Sequence, residues 1–227
     1  AQIATRSVDA DAFIRIAGEM INHNPDALYP TERELDPLKD LNYQCVDDTF
    51  DLKVKADYMT LGLRGNGRNS TARIMNFQLT KNPELAFLWN MADNYSNLLN
   101  PELSVSCPFI LTLVLSVEDQ VKAQNEVSYF LNVTLFCRDD QETALKVEQD
   151  VLNSFRKNGF ELISPRFNHM RNFLVNLPFM AGGGLFKQLR ESGVLQRAES
   201  FNVANLMPVV ADSPLATSGL LAPTYRN

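Results

Sequence analysis

Two stretches of alternation restrict what this chain can fold into more than any other feature of its sequence. In the first, Leu103, Val105, Cys107, Phe109, Leu111, Leu113, Leu115 and Val117 occupy every odd position. In the second, Val127, Tyr129, Leu131, Val133, Leu135 and Cys137 do the same. Successive side chains of a strand point to opposite faces, so a period of two predicts strands whose odd positions are dry. Their even positions carry the more polar face: Ser106, Thr112 and Ser116, then Ser128, Asn132 and Thr134. Two such strands in succession predict antiparallel neighbours in one sheet. A third run sets Phe50, Leu52, Val54, Ala56 and Tyr58 against Asp51, Lys53, Lys55 and Asp57, which predicts one strand with a wet face over 50–58. The glycine- and asparagine-rich stretch 65–70 reads as a turn, and 73–80 as the returning strand of a hairpin.

Helical spacing fills the remainder. The stretch 9–21 is helical by pattern, and Leu85, Leu88, Ala92, Tyr95 and Leu99 form one stripe of a helix over 85–99. Asp139 with Glu142 resembles a capping box, followed by Ala144, Val147, Val151 and Phe155 on one face and Gly159 as the stop. Ser164-Pro165 reads as an N-cap with proline at the first helical position, and Phe167, Met170, Leu174 and Leu177 as the buried stripe. Pro178 and Gly182 to Gly184 break that helix, and a short one over 185–192 stops at Gly193. The fold class expected is α+β, a mainly antiparallel sheet or sheets with helices packed on the faces. The expected unit runs over 1–206, divisible into about 1–100 and 101–206. The Pro-, Ser-, Ala- and Gly-rich stretch 207–227 reads as a linker.

The chemistry-bearing residues are sparse. Net charge is -6 and the pI about 5.0, which opposes a general attraction to nucleic acid. Only His23 and His169 exist, in different elements, with no HxxxH or CxxC pair for a metal. His169 reads as structural or surface-exposed. Cys45, Cys107 and Cys137 are widely spaced and read as buried free thiols. No Gly-x-Ser-x-Gly elbow is present. Gly182 to Lys187 lacks P-loop spacing, with Gln188 where a hydroxyl is required. Asp47-Asp48 and Asp139-Asp140 read as loop and cap residues. No catalytic, cofactor-binding or metal residue is therefore assigned. The longest apolar run, 107–117, is too short for a helix across a bilayer, and no hydrophobic secretory segment opens the chain. A cytoplasmic location is expected. The one interface signal is a second apolar stripe on the 85–99 helix, where Phe87, Trp89, Met91 and Leu98 are the candidate partner-docking residues.

The wording of several stretches points further. Gly18 to Pro25, Asp40 to Val46, Ala86 to Tyr95, Asn153 to Arg166 and Glu199 to Pro208 closely resemble the TraC-like conjugation ATPases of F-type plasmids, in the VirB-four class of type IV secretion ATPases. That resemblance implies an amino-terminal α+β region ahead of a RecA-like motor that holds the Walker motifs. The chain is expected to end before that motor, so ATP and magnesium belong to the longer protein and no ATP-site residue carries over. It also implies pilus assembly and DNA transfer as the process served. Implied partners are inner-membrane subunits of the secretion channel and other protomers of the same protein, with any membrane contact made through partners at the inner membrane. Family members usually carry a longer, polar, largely helical insertion where this chain has only 118–126. Either that insertion is lost here or two ordered pieces are joined across a gap; the second is expected, with a stretched Cα–Cα separation in 122–126 as its mark.

Three readings of function follow. The leading one is a docking and assembly module without catalysis of its own. The first rival is a nucleotide-binding enzyme through an unrecognised site. The second is a DNA-guiding module that uses Arg64, Arg68, Arg73 and Arg166.

Overall fold

One antiparallel sheet organises the chain. The computed structural model describes residues 9–21, 35–40, 44–45, 50–63, 70–83, 107–116, 126–177, 180–182 and 184–206. In chain order these form α1 (Ala10–Ile21), β1 (Phe50–Val54), β2 (Met59–Leu63), β3 (Ser70–Lys81), β4 (Phe109–Ser116) and β5 (Glu126–Arg138). Then follow α2 (Gln141–Lys157), β6 (Glu161–Ile163), α3 (His169–Val175), α4 (Gly184–Glu191), β7 (Gln196–Glu199) and α5 (Ser200–Ala204). The α+β expectation holds, with seven strands and five helices among the described residues. The strand order is β1-β2-β3-β5-β4, with β6 also on β3 and β7 also on β5.

The two long alternations are antiparallel neighbours, with Phe109 opposite Leu135 and Ser116 opposite Ser128. Leu103 and Val105 lie outside the described residues. So do the 85–99 helix, residues 65–69 of the expected turn 65–70 (Ser70 opens β3), the linker from 207 onward and most of 118–126 with its expected stretched link.

The 50–58 run is corrected. It is two strands, not one: the Lys55 N–H donates to the Tyr58 carbonyl at 2.8 Å, and Val54 stands opposite Met59. The alternation changes phase across this reversal: Leu52 shares a face with Met59 and Leu61, whereas Tyr58 packs on the other side of the sheet. Lys55 also places its ammonium 4.7 Å from the Tyr58 ring centre across that turn. The hairpin expected beyond it is present, with β2 antiparallel to β3.

One face of the sheet is covered by α2. Met75, Phe77 and Leu79 of β3 and Leu131, Val133 and Leu135 of β5 meet Ala144, Val147, Val151 and Phe155, the helical stripe expected from spacing. The cap is corrected: Asp140, not Asp139, accepts the Thr143 N–H at 2.8 Å. Asp139 instead turns back to the sheet, where it binds Arg73 at 2.9 Å. At the other end Gly159 has φ +79°, and its N–H and that of Phe160 close on the Arg156 and Phe155 carbonyls. That is a Schellman stop, and its accompanying apolar contact is the edge-to-face pair of Phe155 with Phe160. Separately, α1 starts on Asp9, whose carboxylate accepts the Ala12 N–H at 2.8 Å, and packs Ile14 and Ala17 with Cys45.

Candidate functional site: a buried amide network and an exposed aromatic

The even face of the sheet, which the alternation marks as polar, is not wet. Asn76 of β3 and Asn132 and Thr134 of β5 are fully buried, and Gln78 nearly so. They are covered by α3, whose inward side is His169, Asn172, Phe173 and Asn176. Those positions follow helical spacing, but they are not the stripe expected at Phe167, Met170, Leu174 and Leu177. The reason is electrostatic: amides already fixed on the strands must find partners when desolvated, and only a helix offering amides supplies them. The helix also begins later than expected. Pro165 to Phe167 form a turn, and Asn168 precedes the first helical residue without a side-chain cap.

The network is continuous. Thr134 Oγ1 donates to Asn76 Oδ1 at 2.6 Å, and Asn176 Nδ2 donates to Thr134 Oγ1 at 2.7 Å. Thr112 Oγ1 of β4 donates to Asn176 Oδ1 at 2.7 Å, so the outer strand is tied in as well. Asn172 Nδ2 donates to Gln78 Oε1 and to Asn132 Oδ1, both at 3.1 Å. Arg171 reaches from the rim to Gln78 Oε1 at 3.1 Å and to Ser192 Oγ at 2.9 Å, joining the end of α4.

His169 is structural, the first of the two roles its sequence context allowed. It is completely buried, its Nδ1 accepts the Asn76 backbone N–H at 3.4 Å, and its Nε2 lies 3.3 Å from Ser164 Oγ. With Nδ1 accepting, the ring proton sits on Nε2 and the imidazole is neutral. Burial pushes its pKa down to about 4, partly opposed by the Asp57 carboxylate.

The arginines do not gather. Arg73 is buried, bound to Asp139, and stacks 4.1 Å from the Tyr58 ring centre. Arg166 is exposed and pairs with Asp57 at 2.8 Å. Arg64 and Arg68 lie outside the described residues. The Arg166–Asp57 pair and the Phe167 N–H donated to the Ala56 carbonyl at 2.8 Å clamp the β1–β2 turn to the segment before α3. Between them Phe167 is held at φ 63° with 77% of its surface exposed. A left-handed, exposed phenylalanine is the reverse of what folding favours. The expected docking residues Phe87, Trp89, Met91 and Leu98 lie outside the described residues.

Among the described residues, no three His, Cys, Asp or Glu side chains converge to hold a metal, and no helix is long and apolar enough to cross a membrane. The network itself was only half legible beforehand. Asn132, Thr134 and Thr112 were on the polar face, whereas Asn76, Gln78, Asn172 and Asn176 were missed. Their signal was present as amides at alternate positions of β3 and one turn apart on α3.

A family model described as TraC protein matches residues 1–129 and 124–181. The chain belongs to the TraC protein family. A curated relative, Protein TraC of Escherichia coli (strain K12), is 66% identical over 271 residues, covering 100% of this chain and 31% of that protein. The chain thus spans about a third of the length of the relative it matches. The aligned stretch of 271 residues exceeds the 227 residues here by 44. The two family segments meet at 124–129, where β5 begins.

Proposed function

We propose that this region is a docking and assembly module of a conjugative type IV secretion ATPase, and that it performs no catalysis itself. In this reading the whole protein hydrolyses ATP with magnesium in a motor outside these residues, powering pilus assembly and DNA transfer. The module sets that motor in place by binding inner-membrane subunits of the channel and other TraC protomers. It works on the cytoplasmic side of the bacterial inner membrane and reaches the membrane only through partners. Family membership supports a role in conjugation; the observation that favours the docking role is Phe167. Its backbone is held against preference by two anchors while its ring stays outside, as expected of an aromatic anchor at an interface. Phe87, Trp89, Met91 and Leu98 are proposed to extend that docking function. We also place the 44 additional residues of the relative in the β4–β5 connection, where the two family segments meet.

The test is capture of the inner-membrane subunits by this chain, wild type against Phe167→Asn. Asparagine tolerates the left-handed backbone, so the fold is retained and the ring alone is removed. Binding at micromolar concentration that drops at least roughly tenfold in the variant fits one lost aromatic anchor. Wild-type protein that captures nothing at that concentration sinks the docking reading. The nucleotide rival is read separately: a melting temperature raised by ATP and magnesium would favour it.

A further inference from the structure

Two of the three cysteines sit at the open end of the β4–β5 hairpin. Phe109 stands opposite Leu135, and the Phe136 N–H donates to the Pro108 carbonyl at 2.9 Å, so pairing continues beyond β4. Cys107 itself lies in a bend just before β4, and continuing the register by one residue places it opposite Cys137. With 108 and 136 sharing the ladder hydrogen bond, 107 and 137 then take the place of a non-hydrogen-bonded pair. Such pairs bring Cα atoms to about 4.5 Å. That lies within the roughly 4.4–6.8 Å that disulfides span. Both cysteines also lie on the same side of the sheet: Cys137 belongs to the apolar cluster beneath α2, where its thiol donates to the Arg73 carbonyl at 3.7 Å, and Cys107 packs against that cluster. Cys45 belongs to the separate cluster around α1.

We propose that Cys107 and Cys137 are an oxidisable dithiol, a modification site at which a low-molecular-weight disulfide such as oxidised glutathione installs a cross-strand bond. The two thiols differ in access, which orders the steps. Cys107 is half-buried and Cys137 is 2% exposed. The Cys107 thiolate attacks one sulfur of the oxidant, whose S–S bond breaks, and the departing thiolate takes up the proton that Cys107 lost. The Cys137 thiolate then attacks Cys107 Sγ in the mixed disulfide. A second glutathione thiolate leaves and is protonated by the proton from Cys137. The pair is oxidised by two electrons and the oxidant reduced by two.

Burial pushes Cys107 up to about 12, with the facing Cys137 adding to it, and burial pushes Cys137 up to about 11. Thiolate is therefore scarce at neutral pH, and exchange accelerates about tenfold for each pH unit of alkalinity. The bond has a defined mechanical effect. Among the described residues β4 is the outermost strand on its side of the sheet, paired only with β5. The chain joins those strands at one end, and the disulfide would join them at the other. This inference stands apart from the docking reading.

The experiment uses the unmodified 227-residue chain in mixtures of oxidised and reduced glutathione, followed by acid quench, alkylation and peptide mass spectrometry. The expected product is a Cys107–Cys137 cross-linked peptide, two hydrogens lighter than the dithiol, formed faster at higher pH and reversed by dithiothreitol. It forms equally in Cys45→Ser, and the oxidised chain melts several degrees higher. In Cys137→Ser the reaction stops at the Cys107–glutathione adduct. The proposal is overturned if the wild type also stops at that adduct, or if Cys45 takes part in the bond. It is equally overturned if the cross-link forms no faster in the folded chain than in urea, because register would then have no role.

Discussion

The two faces of the sheet differ in chemistry: one is packed by apolar side chains throughout, the other carries a buried amide network among its apolar contacts. Beneath α2, strands and helix meet through Leu, Val, Phe and Met; beneath α3 a network of asparagine, glutamine, threonine and a neutral histidine is set between apolar contacts of Phe173 with Ile74 and Phe136 and of Val175 with Phe130. Dispersion and hydrophobic burial are non-directional, so the first face asks for volume. Hydrogen bonds are directional and costly to leave unmade, so the second asks for particular atoms at particular places. The α2 face accounts for most of the burial, whereas the α3 face specifies how one helix is seated.

Truncating the apolar face has the largest expected effect. Phe155→Ala removes a fully buried ring and its partner contact with Phe160, and chemical denaturation should show a loss of about 3–5 kcal/mol. A loss below about 1 kcal/mol would mean that this face is not the main core. On the amide face, Asn132→Leu keeps the approximate volume but strips partners from Asn172 and crowds Asn76, and should cost roughly 2–3 kcal/mol. The volume-conserving Leu135→Met on the other face should cost under about 1.5 kcal/mol. Equal effects of those two substitutions would erase the contrast between the faces.

Acid sharpens the same contrast. His169 has its folded pKa depressed to about 4, so the unfolded chain binds this proton first as pH falls. Its contribution is fully present above the ordinary histidine value near 6.5 and is lost progressively from there toward about 4. Denaturant midpoints between those pH values should fall in the wild type and flatten in His169→Gln. An unchanged slope would assign the acid sensitivity elsewhere. The smallest expected effect is at the surface. Phe167→Asn should change stability by no more than about 1 kcal/mol, and in the stabilising direction, because the left-handed backbone suits asparagine better. A clear destabilisation would show that the ring holds the fold together.

Legibility followed the physics. Strand pairing between β4 and β5, the buried stripe of α2 and the Gly159 stop were readable because each depends on residues close in sequence. The reversal at Lys55 to Tyr58 was hidden because Ala56 and Tyr58 continue the even-numbered apolar pattern through the turn, although Tyr58 ends on the opposite face from Leu52. The short strands β6 and β7 and the helix α5 were missed, since segments of three to five residues carry too little periodicity to stand out. Asp140 displaced Asp139 as the cap because Asp139 was needed by Arg73, sixty-six residues away in sequence.

Local periodicity by itself determined the fold class, the main strands and the apolar side of α2, since a strand or helix declares its dry face through spacing alone. Identity of wording, the TraC family included, was likewise carried by the residues. Only the tertiary structure decided that the polar face is buried, that Arg73 points inward, that Phe167 stays outside and that Cys107 and Cys137 share one apolar cluster. Each of these depends on which distant segment arrives as neighbour. A polar side chain on a strand faces water or a partner with the same local pattern, and the difference appears only when the covering helix is in place.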